Sequence, residues 1–333
     1  MVRLAGAAYA VPDLVESVDD ILSRERERVD AAFSASSPAL QHRAATELGI
    51  ERVRCCGTQE PYELMKTAAD TALRGAGITG SAVDLIIDYS TLPGSAELYA
   101  PLAPRLSTDI GAETSLNISF KFGGCAGMHL AMHQALALMK SDERVRVALL
   151  VAADSPPAGS RSLMPITVQG DAGSALVLCA NGSHGPSIEA TEVLTVGQLH
   201  RVITLATRQN GTGLQLCVDA AELEQSVVPV YYLHFHRLIQ RALSRAGIRL
   251  SDVDHVIYSN LSASDREGFV RAMGLPPGKN RQTAMADYGH TFGSDLVINY
   301  CDLLRDGAVL PGQWLLFAAA GIGFTWGVTL ARA

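Results

Sequence analysis

Residues 116–140 read LNISFKFGGCAGMHLAMHQALALMK, and the reading of this stretch decides the fold. LNISF is short, apolar and partly alternating, the pattern of a buried strand. GMHLAMHQALALMK is long, rich in Ala, Leu and Met, free of Pro and, after its first residue, of Gly, the pattern of a buried helix. Cys125 sits in the Gly-Gly turn between them. A side chain at that place faces unpaired backbone N–H groups and the positive end of the helix dipole, which favour an anion such as a thiolate. Gly123, Gly124 and Gly127 let other backbone or a ligand come close. Two readings stand: a nucleophile presented on a strand-turn-helix elbow, or an inert core cysteine, the usual fate of a free thiol.

Working outward, the chain repeats itself. Residues 72–90 read ALRGAGITGSAVDLIIDYS and residues 242–260 read ALSRAGIRLSDVDHVIYSN, about half identical without a gap at an offset of about 170 residues, close to half the chain. Each copy is a helix end, a Gly stop (Gly77, Gly247), a Ser-x-Val-Asp turn and a buried strand. The first copy is followed by a strand, the GGC elbow, the helix to Lys140 and an apolar strand from Val145 to Ala153. The second is followed by DYGHTFG, a helix to Leu304 and a strand from Gln313 to Ala319. Two similar α/β halves follow from this, each a parallel-type sheet flanked by helices, divided as residues 1–182 and 183–333. Halves related by a pseudo-twofold bring equivalent elbows face to face, and Cys125 and His290 occupy those elbows, which makes them a candidate nucleophile and base.

The remaining segments are assigned more coarsely. QGDAGSALVLC, from Gln169 to Cys179, is a Gly-Asp turn running into an apolar strand. Residues 20–58, rich in Arg and Glu, are expected to form one or two helices as a flap over the core. Residues 196–225 are expected to hold a strand and a surface loop near Asn210-Gly211, and Val227 to Arg245 is helical in period.

Composition bounds the function. The chain has 333 residues, 48% of them hydrophobic, enough for a large core. Charged residues are 18% and the net charge is −7, with no Lys/Arg run to neutralise phosphates, which argues against nucleic acid as the main partner. The opening apolar run is cut short by Pro12 and followed by VESVDD, so it reads as a first strand rather than a signal peptide or membrane span, and a cytoplasmic protein is expected. The six cysteines show no CxxC spacing and no metal pattern, and are expected to be reduced thiols. His129 and His133 are spaced i, i+4 but lack a third ligand or an HExxH glutamate, so no metal is expected and core or supporting roles are. His234 and His236 cannot share a helix face and are expected to split between surface and interior.

GGCAGMHLAMHQAL, QGDAGSALVL, LPGQWLLFAAAGIGFTWG and the duplicated halves together resemble ketoacyl-acyl carrier protein synthase III and its relatives in the thiolase superfamily. The resemblance covers nearly the whole chain. It implies a five-layered αβαβα fold, a homodimer, no permanently bound cofactor, and acyl transfer through a cysteine thioester. The donor would be acyl-coenzyme A or the acyl-phosphopantetheine arm of an acyl carrier protein. Carried over residue by residue, Cys125 matches the acyl-accepting cysteine. Gly321-Ile322-Gly323 matches the loop whose amide, with that of the cysteine, forms the oxyanion hole, so the N–H groups of Ile322 and Cys125 are the candidates.

One departure bears on the reaction. Condensing members of that family use a Cys-His-Asn set, with His in a Pro-His-Gln-Ala-Asn setting and Asn in a Gly-Asn-Thr-Ser elbow. Here Asn260 stands at the first place and His290 at the second. Decarboxylating a malonyl thioester needs two neutral donors to hold an enolate oxygen, and moving the imidazole disturbs them. Transfer to a hydroxyl or amine needs only a thiolate, an oxyanion hole and one base near the acceptor, a role that suits imidazole. The sequence therefore points to an acyltransferase with a small-molecule acceptor. Natural-product biosynthesis is its expected setting, on the divergence alone. A decarboxylative condensing enzyme and a catalytically silent partner subunit are the alternatives. Asn260 has the better positional argument as the group that orients His290. Asp287 and Asp295 are the other candidates, and Asp295 equally fits as a cap of the following helix. The position that lines the acyl pocket in the family falls at Tyr99 or Ala100.

Overall fold

The computed structural model describes residues 1–39, 42, 47–92, 100–121, 123–208, 213–280 and 284–333. Nine strands form the main sheet structure. The first half supplies β1 (Val2–Ala10), β2 (Leu85–Asp88), β3 (Leu116–Ser119), β4 (Val147–Asp154) and β5 (Ala172–Ala180), in the order β3-β2-β4-β5-β1. The second supplies β6 (Ser187–Thr195), β7 (His255–Tyr258), β8 (Trp314–Gly321) and β9 (Thr325–Arg332), in the order β7-β8-β9-β6.

The two orders repeat each other. In the first half β2 runs parallel to β3 and β4, and β5 runs antiparallel to β4 and β1. In the second, β7 runs parallel to β8, and β9 antiparallel to β8 and β6. Among the described residues, the counterpart of β3 is a single parallel bridge between Val256 and Asn280. The halves meet edge to edge at Arg3 and Ser187.

Six helices complete the layers: α1 (Pro61–Ala76), α2 (Leu102–Asp109), α3 (Gly127–Ser141), α4 (Tyr231–Ala246), α5 (Ala263–Met273) and α6 (Ser294–Arg305). α1 and α2 cover the outer face of the first sheet, and α4, with α5 against it, that of the second. α3 touches β2, β4, β6 and β9, while α6 touches β1, β4, β5, β7 and β8, so these two lie between the sheets. The result is the five-layered αβαβα thiolase-like arrangement.

Alternation along the strands explains the layering. In β2, Leu85 and Ile87 pack into the middle layer while Ile86 packs outward against α1, and all three are fully buried. A strand covered on both faces needs a continuous apolar run, which is what LIID and HVIY largely are. The repeat copies also close alike. α1 stops at Gly77 with φ 66° and α4 at Gly247 with φ 69°. Each then makes a short 3-10 turn (Gly80–Ala82, Leu250–Asp252) before its buried strand.

One expectation is corrected. LNIS is not a buried central strand; β3 lies at the sheet edge, pairs only with β2, and leaves Leu116 50% exposed. Its apolar pattern serves one face and one neighbour. Over the stretch expected as a flap, residues 20–58, lie helices Val18–Arg24 and Arg26–Ser34, bracketed by an antiparallel pair of strands, Leu14–Ser17 and Arg52–Cys55. It is anchored by buried Glu25, which accepts hydrogen bonds from Arg161 N–H, Ser162 N–H and Ser162 Oγ. Residues 196–225 hold a hairpin of Ile203–Thr207 and Leu214–Val218, and the Asn210-Gly211 loop lies outside the described residues.

Candidate active site

The elbow at Cys125 is set by close backbone approach. Gly124 has φ 52°, and a Cβ built on it would fall 2.3 Å from the Ile322 nitrogen. A Cβ on Gly321 would fall 2.3 Å from the Cys125 nitrogen. Only glycines allow the last loop to lie on the cysteine turn, so the N–H groups of Cys125 and Ile322 belong to backbones in contact. Residues 124–126 form a 3-10 turn leading directly into α3.

The opposite elbow is pinned to the first half of the chain. His290 N–H donates to Val168 O and Gly170 N–H donates to His290 O, both at 3.0 Å, so Gln169 and His290 pair as in a parallel bridge. Gly289, at φ 66°, lies so close to Val53 and Val168 that a Cβ there would meet both within 2.8 Å. Phe292 carries a positive φ of 56°, uncommon for a bulky residue. Its ring sits 5.4 Å from the imidazole.

These two elbows bring Cys125 Sγ and His290 Nε2 to 3.0 Å. Behind the imidazole, Nδ1 donates to Asp295 Oδ2 at 2.6 Å. The same oxygen accepts Asn260 N–H at 2.7 Å, and Oδ1 accepts Thr291 N–H and Thr291 Oγ, each at 2.7 Å. All four residues besides Cys125 are nearly or fully buried. Burial alone would push the His290 imidazole down, but the Cys125 sulfur and the Asp295 carboxylate outweigh it and hold His290 well above the usual histidine range. Such an arrangement can serve as a nucleophile, a base and a carboxylate that fixes the base's tautomer.

The group hydrogen-bonded to His290 Nδ1 is Asp295, not the side chain of Asn260. Asn260 Oδ1 accepts from Asn299 Nδ2 at 2.9 Å, and only the Asn260 main-chain N–H reaches the carboxylate. Asp287 lies elsewhere, half exposed and paired with Arg52. Asp295 sits in the first turn of α6 but makes no cap hydrogen bond to that helix, since both its oxygens are taken by His290, Asn260 and Thr291. Thr291, which holds the second carboxylate oxygen, is a supporting residue that the sequence did not single out; the GHTFGSD spacing of His, Thr and Asp around a sharp turn is its only signal.

Cys125 and His290 open on a cavity of about 180 Å3 lined mostly by apolar side chains, with Gln169, Phe292 and Ile322 in its wall. Ala100 lines a neighbouring cavity of about 880 Å3 that shares Ile203 and Ile322 with the first but not Cys125. Tyr99 lies outside the described residues. His129 is fully buried in the core, with Nδ1 2.8 Å from Thr329 Oγ and its pKa lowered by burial to about 3. His133, one turn on, is exposed, because α3 emerges from between the sheets there. His234 is half-buried against Trp326 while His236 is exposed. Among the described residues no group of three or more His, Cys, Asp or Glu could hold a metal ion, all six cysteines are free, and no helix is long and apolar enough to cross a membrane.

Comparison with known proteins agrees with this fold. Residues 243–333 match the family described as 3-oxoacyl-[acyl-carrier-protein] synthase III C terminal. The beta-ketoacyl-[acyl-carrier-protein] synthase III of Rhodospirillum rubrum is 27% identical over 285 residues, spanning 82% of this chain and 85% of its own length. Among solved structures, 3-oxoacyl-[acyl-carrier-protein] synthase III from Aquifex aeolicus superposes with a TM-score of 0.80 at 21% identity, covering all of both chains. ChlB3, described as an acyltransferase, superposes with a TM-score of 0.80 at 22% identity, covering 100% of this chain and 97% of its own.

Proposed function

We propose, from the premise that this chain belongs to the ketoacyl-acyl carrier protein synthase III-like family of the thiolase superfamily, that it is an acyltransferase. It takes an acyl group from a coenzyme A or carrier-protein thioester onto Cys125 and passes it to a hydroxyl or amine of a small molecule. Enzymes of this family work through an acyl-cysteine and use such donors without a permanent cofactor. The observation that carries the choice of acceptor is the Cys125–His290–Asp295 chain, with contacts of 3.0 and 2.6 Å.

The chemistry runs in two displacements. His290 takes the Cys125 proton, the sulfur attacks the thioester carbonyl, and the oxyanion lies between the N–H groups of Cys125 and Ile322. Collapse expels the donor's thiolate, which leaves with the proton from His290. Acylation then removes one of the two influences that raise the imidazole, so His290 gives up its proton more readily and is free in its neutral form to act as the base at that stage. It accepts the proton of the incoming hydroxyl or amine, a second oxyanion forms and collapses, and Cys125 leaves as the thiolate to be reprotonated by His290. Asp295 holds Nδ1–H throughout and balances the imidazolium.

Decarboxylative condensation calls for two neutral donors at the enolate oxygen. Here the imidazole is paired with a carboxylate, which supports transfer over condensation. A silent subunit has no use for a sulfur held 3.0 Å from an oriented imidazole. The β3 edge, hydrogen-bonded on one side and carrying half-exposed Leu116, supports a homodimer built on that strand. Intact-mass spectrometry after incubation with acyl-coenzyme A thioesters tests the transfer reading. An adduct on Cys125 that is absent in Cys125→Ala is expected, with no carbon dioxide release from malonyl-coenzyme A. An adduct that survives Cys125→Ala, or turnover of malonyl-coenzyme A to a β-ketoacyl product, overturns it.

A further inference from the structure

The wall around the reacting pair is largely aliphatic and aromatic, with Leu163, Ile166, Leu223 and Phe324 among its members. Gln169 is one of its few polar members, with Ser262, Ser264 and Asp265. Its main chain is fully engaged: N–H donates to Arg161 O at 2.9 Å, its carbonyl accepts from Arg161 Nη1 at 3.3 Å, and it pairs with His290. The side chain is only 1% exposed, lines the same cavity as Cys125 and His290, and has no hydrogen-bond partner for Oε1 among the described residues. A buried carbonyl oxygen without a donor is destabilising, and folded proteins keep few of them. An apolar residue of similar length would fill the same space without that penalty.

We propose that Gln169 Oε1 accepts a hydrogen bond from a hydroxyl or N–H group carried by the bound small molecule close to its reacting centre. The position follows from the pairing: adjacent strands lie about 4.8 Å apart, so the Gln169 amide stands beside whatever touches the His290 imidazole. The site thus selects a hydroxylated or amide-bearing molecule over a plain alkyl one. This deepens the transfer reading and rests on it. The group sits either on the acyl chain or on the acceptor, and the two half-reactions separate these sources.

The test compares matched pairs. Cys125 acylation is timed with 3-hydroxybutyryl-coenzyme A against butyryl-coenzyme A, and discharge of acetyl-enzyme is timed with ethanolamine against propylamine. A preference of about tenfold for the hydroxyl-bearing member is expected in one arm. Acylation preference places the group on the acyl chain, and discharge preference places it on the acceptor. Gln169→Met collapses that preference to about twofold or less, Gln169→Glu, which keeps an acceptor oxygen, retains it, and Gln169→Leu reads the same loss should the Met protein misfold. Equal rates in both arms, or a preference that persists in Gln169→Met, overturn the assignment. If no thioester acylates Cys125, the transfer reading fails by itself. Calorimetry of Cys125→Ala with the two thioesters then decides on Gln169, and equal affinities overturn it.

Discussion

Replacing Asp295 with asparagine tests the site at its most constrained point. The carboxylate accepts from His290 Nδ1, Asn260 N–H, Thr291 N–H and Thr291 Oγ, at 2.6 to 2.7 Å. Asparagine offers one oxygen and one NH2, so it cannot satisfy both pairs. If the oxygen faces Thr291, the NH2 opposes Nδ1–H and drives the imidazole to the other tautomer, with its proton toward Cys125 and no lone pair for a proton. If the oxygen faces His290, the NH2 opposes Thr291 N–H, a buried donor left unpaired at a cost of about 1–3 kcal/mol. The first outcome removes the base; a wrong tautomer in a comparable triad costs about 10⁴-fold. Asp295→Asn is therefore expected to slow both half-reactions by about 10²- to 10⁴-fold, since either arrangement also loses the charge that steadies the imidazolium.

The half-reactions also differ in pH dependence. In the acyl-enzyme the sulfur carries no charge, so burial, which lowers the imidazole, is opposed by Asp295 without help from Cys125. Discharge should rise with pH through that reduced value, because the neutral imidazole is the base. In Asp295→Asn the same inflection should move further toward acid. Rapid-quench mass spectrometry of the acyl-Cys125 adduct measures both. Discharge within about threefold of wild type in a folded Asp295→Asn protein, with an unmoved inflection, would falsify the triad assignment.

Three further outcomes are expected. His290 is held above its ordinary value of 6.5 in the folded chain. Its charged form thus adds stability that is fully present below that value and lost as pH rises through the raised one; the melting-temperature gap between wild type and His290→Gln should shrink from pH 6 to alkaline pH, and a gap that widens refutes the sign. Gly321→Ala places a Cβ 2.3 Å from the Cys125 nitrogen, so adduct formation should fall by about 10²-fold or more as the two amides are pushed apart; unchanged acylation kinetics would remove Ile322 and Cys125 N–H from the oxyanion role. Asn260→Ala deletes one of the two acceptors for Asn299 Nδ2, the other being Tyr258 O, but leaves the main-chain link to Asp295. It should cost about 1–3 kcal/mol in denaturant unfolding and less than about tenfold in transfer, and a loss as deep as that of Asp295→Asn would return Asn260 to a direct part in the chemistry.

Much of this was legible in the sequence because duplication doubles every signal. The two Gly stops and Ser-x-Val-Asp turns at 77–84 and 247–254 marked equivalent strands, and equivalent strands located equivalent elbows. That was enough to bring residues 125 and 290 together. The misreadings have a common cause. The burial of LNIS was misjudged because an apolar alternation does not say whether a strand has one neighbour or two. In the sequence alone Asp295 fits equally as a helix cap, and Asn260 stands first by its place in the repeat. Sequence position shows which backbone reaches a site, but not whether side chain or main chain makes the contact. Gln169 carried no signal, since the meaning of its amide depends on the apolar wall around it.

The exchange of His and Asn between the two elbows is tolerable because of how the elbows are wired. The place that holds histidine in condensing relatives still reaches the triad here, but through the main-chain N–H of Asn260 at 2.7 Å from Asp295. That donor exists whatever side chain stands at residue 260, proline apart, so this link would persist if the side chain changed. His290, meanwhile, draws its place from the first half, through Val168 and Gly170, so its position depends on the QGD turn rather than on residue 260. The carboxylate at 295 joins these two independent supports. A histidine moved to the second elbow without such a carboxylate would gain contact with the sulfur but no fixed tautomer, so the proposed transfer to oxygen or nitrogen leans on the Asp at the start of α6 more than on the histidine itself.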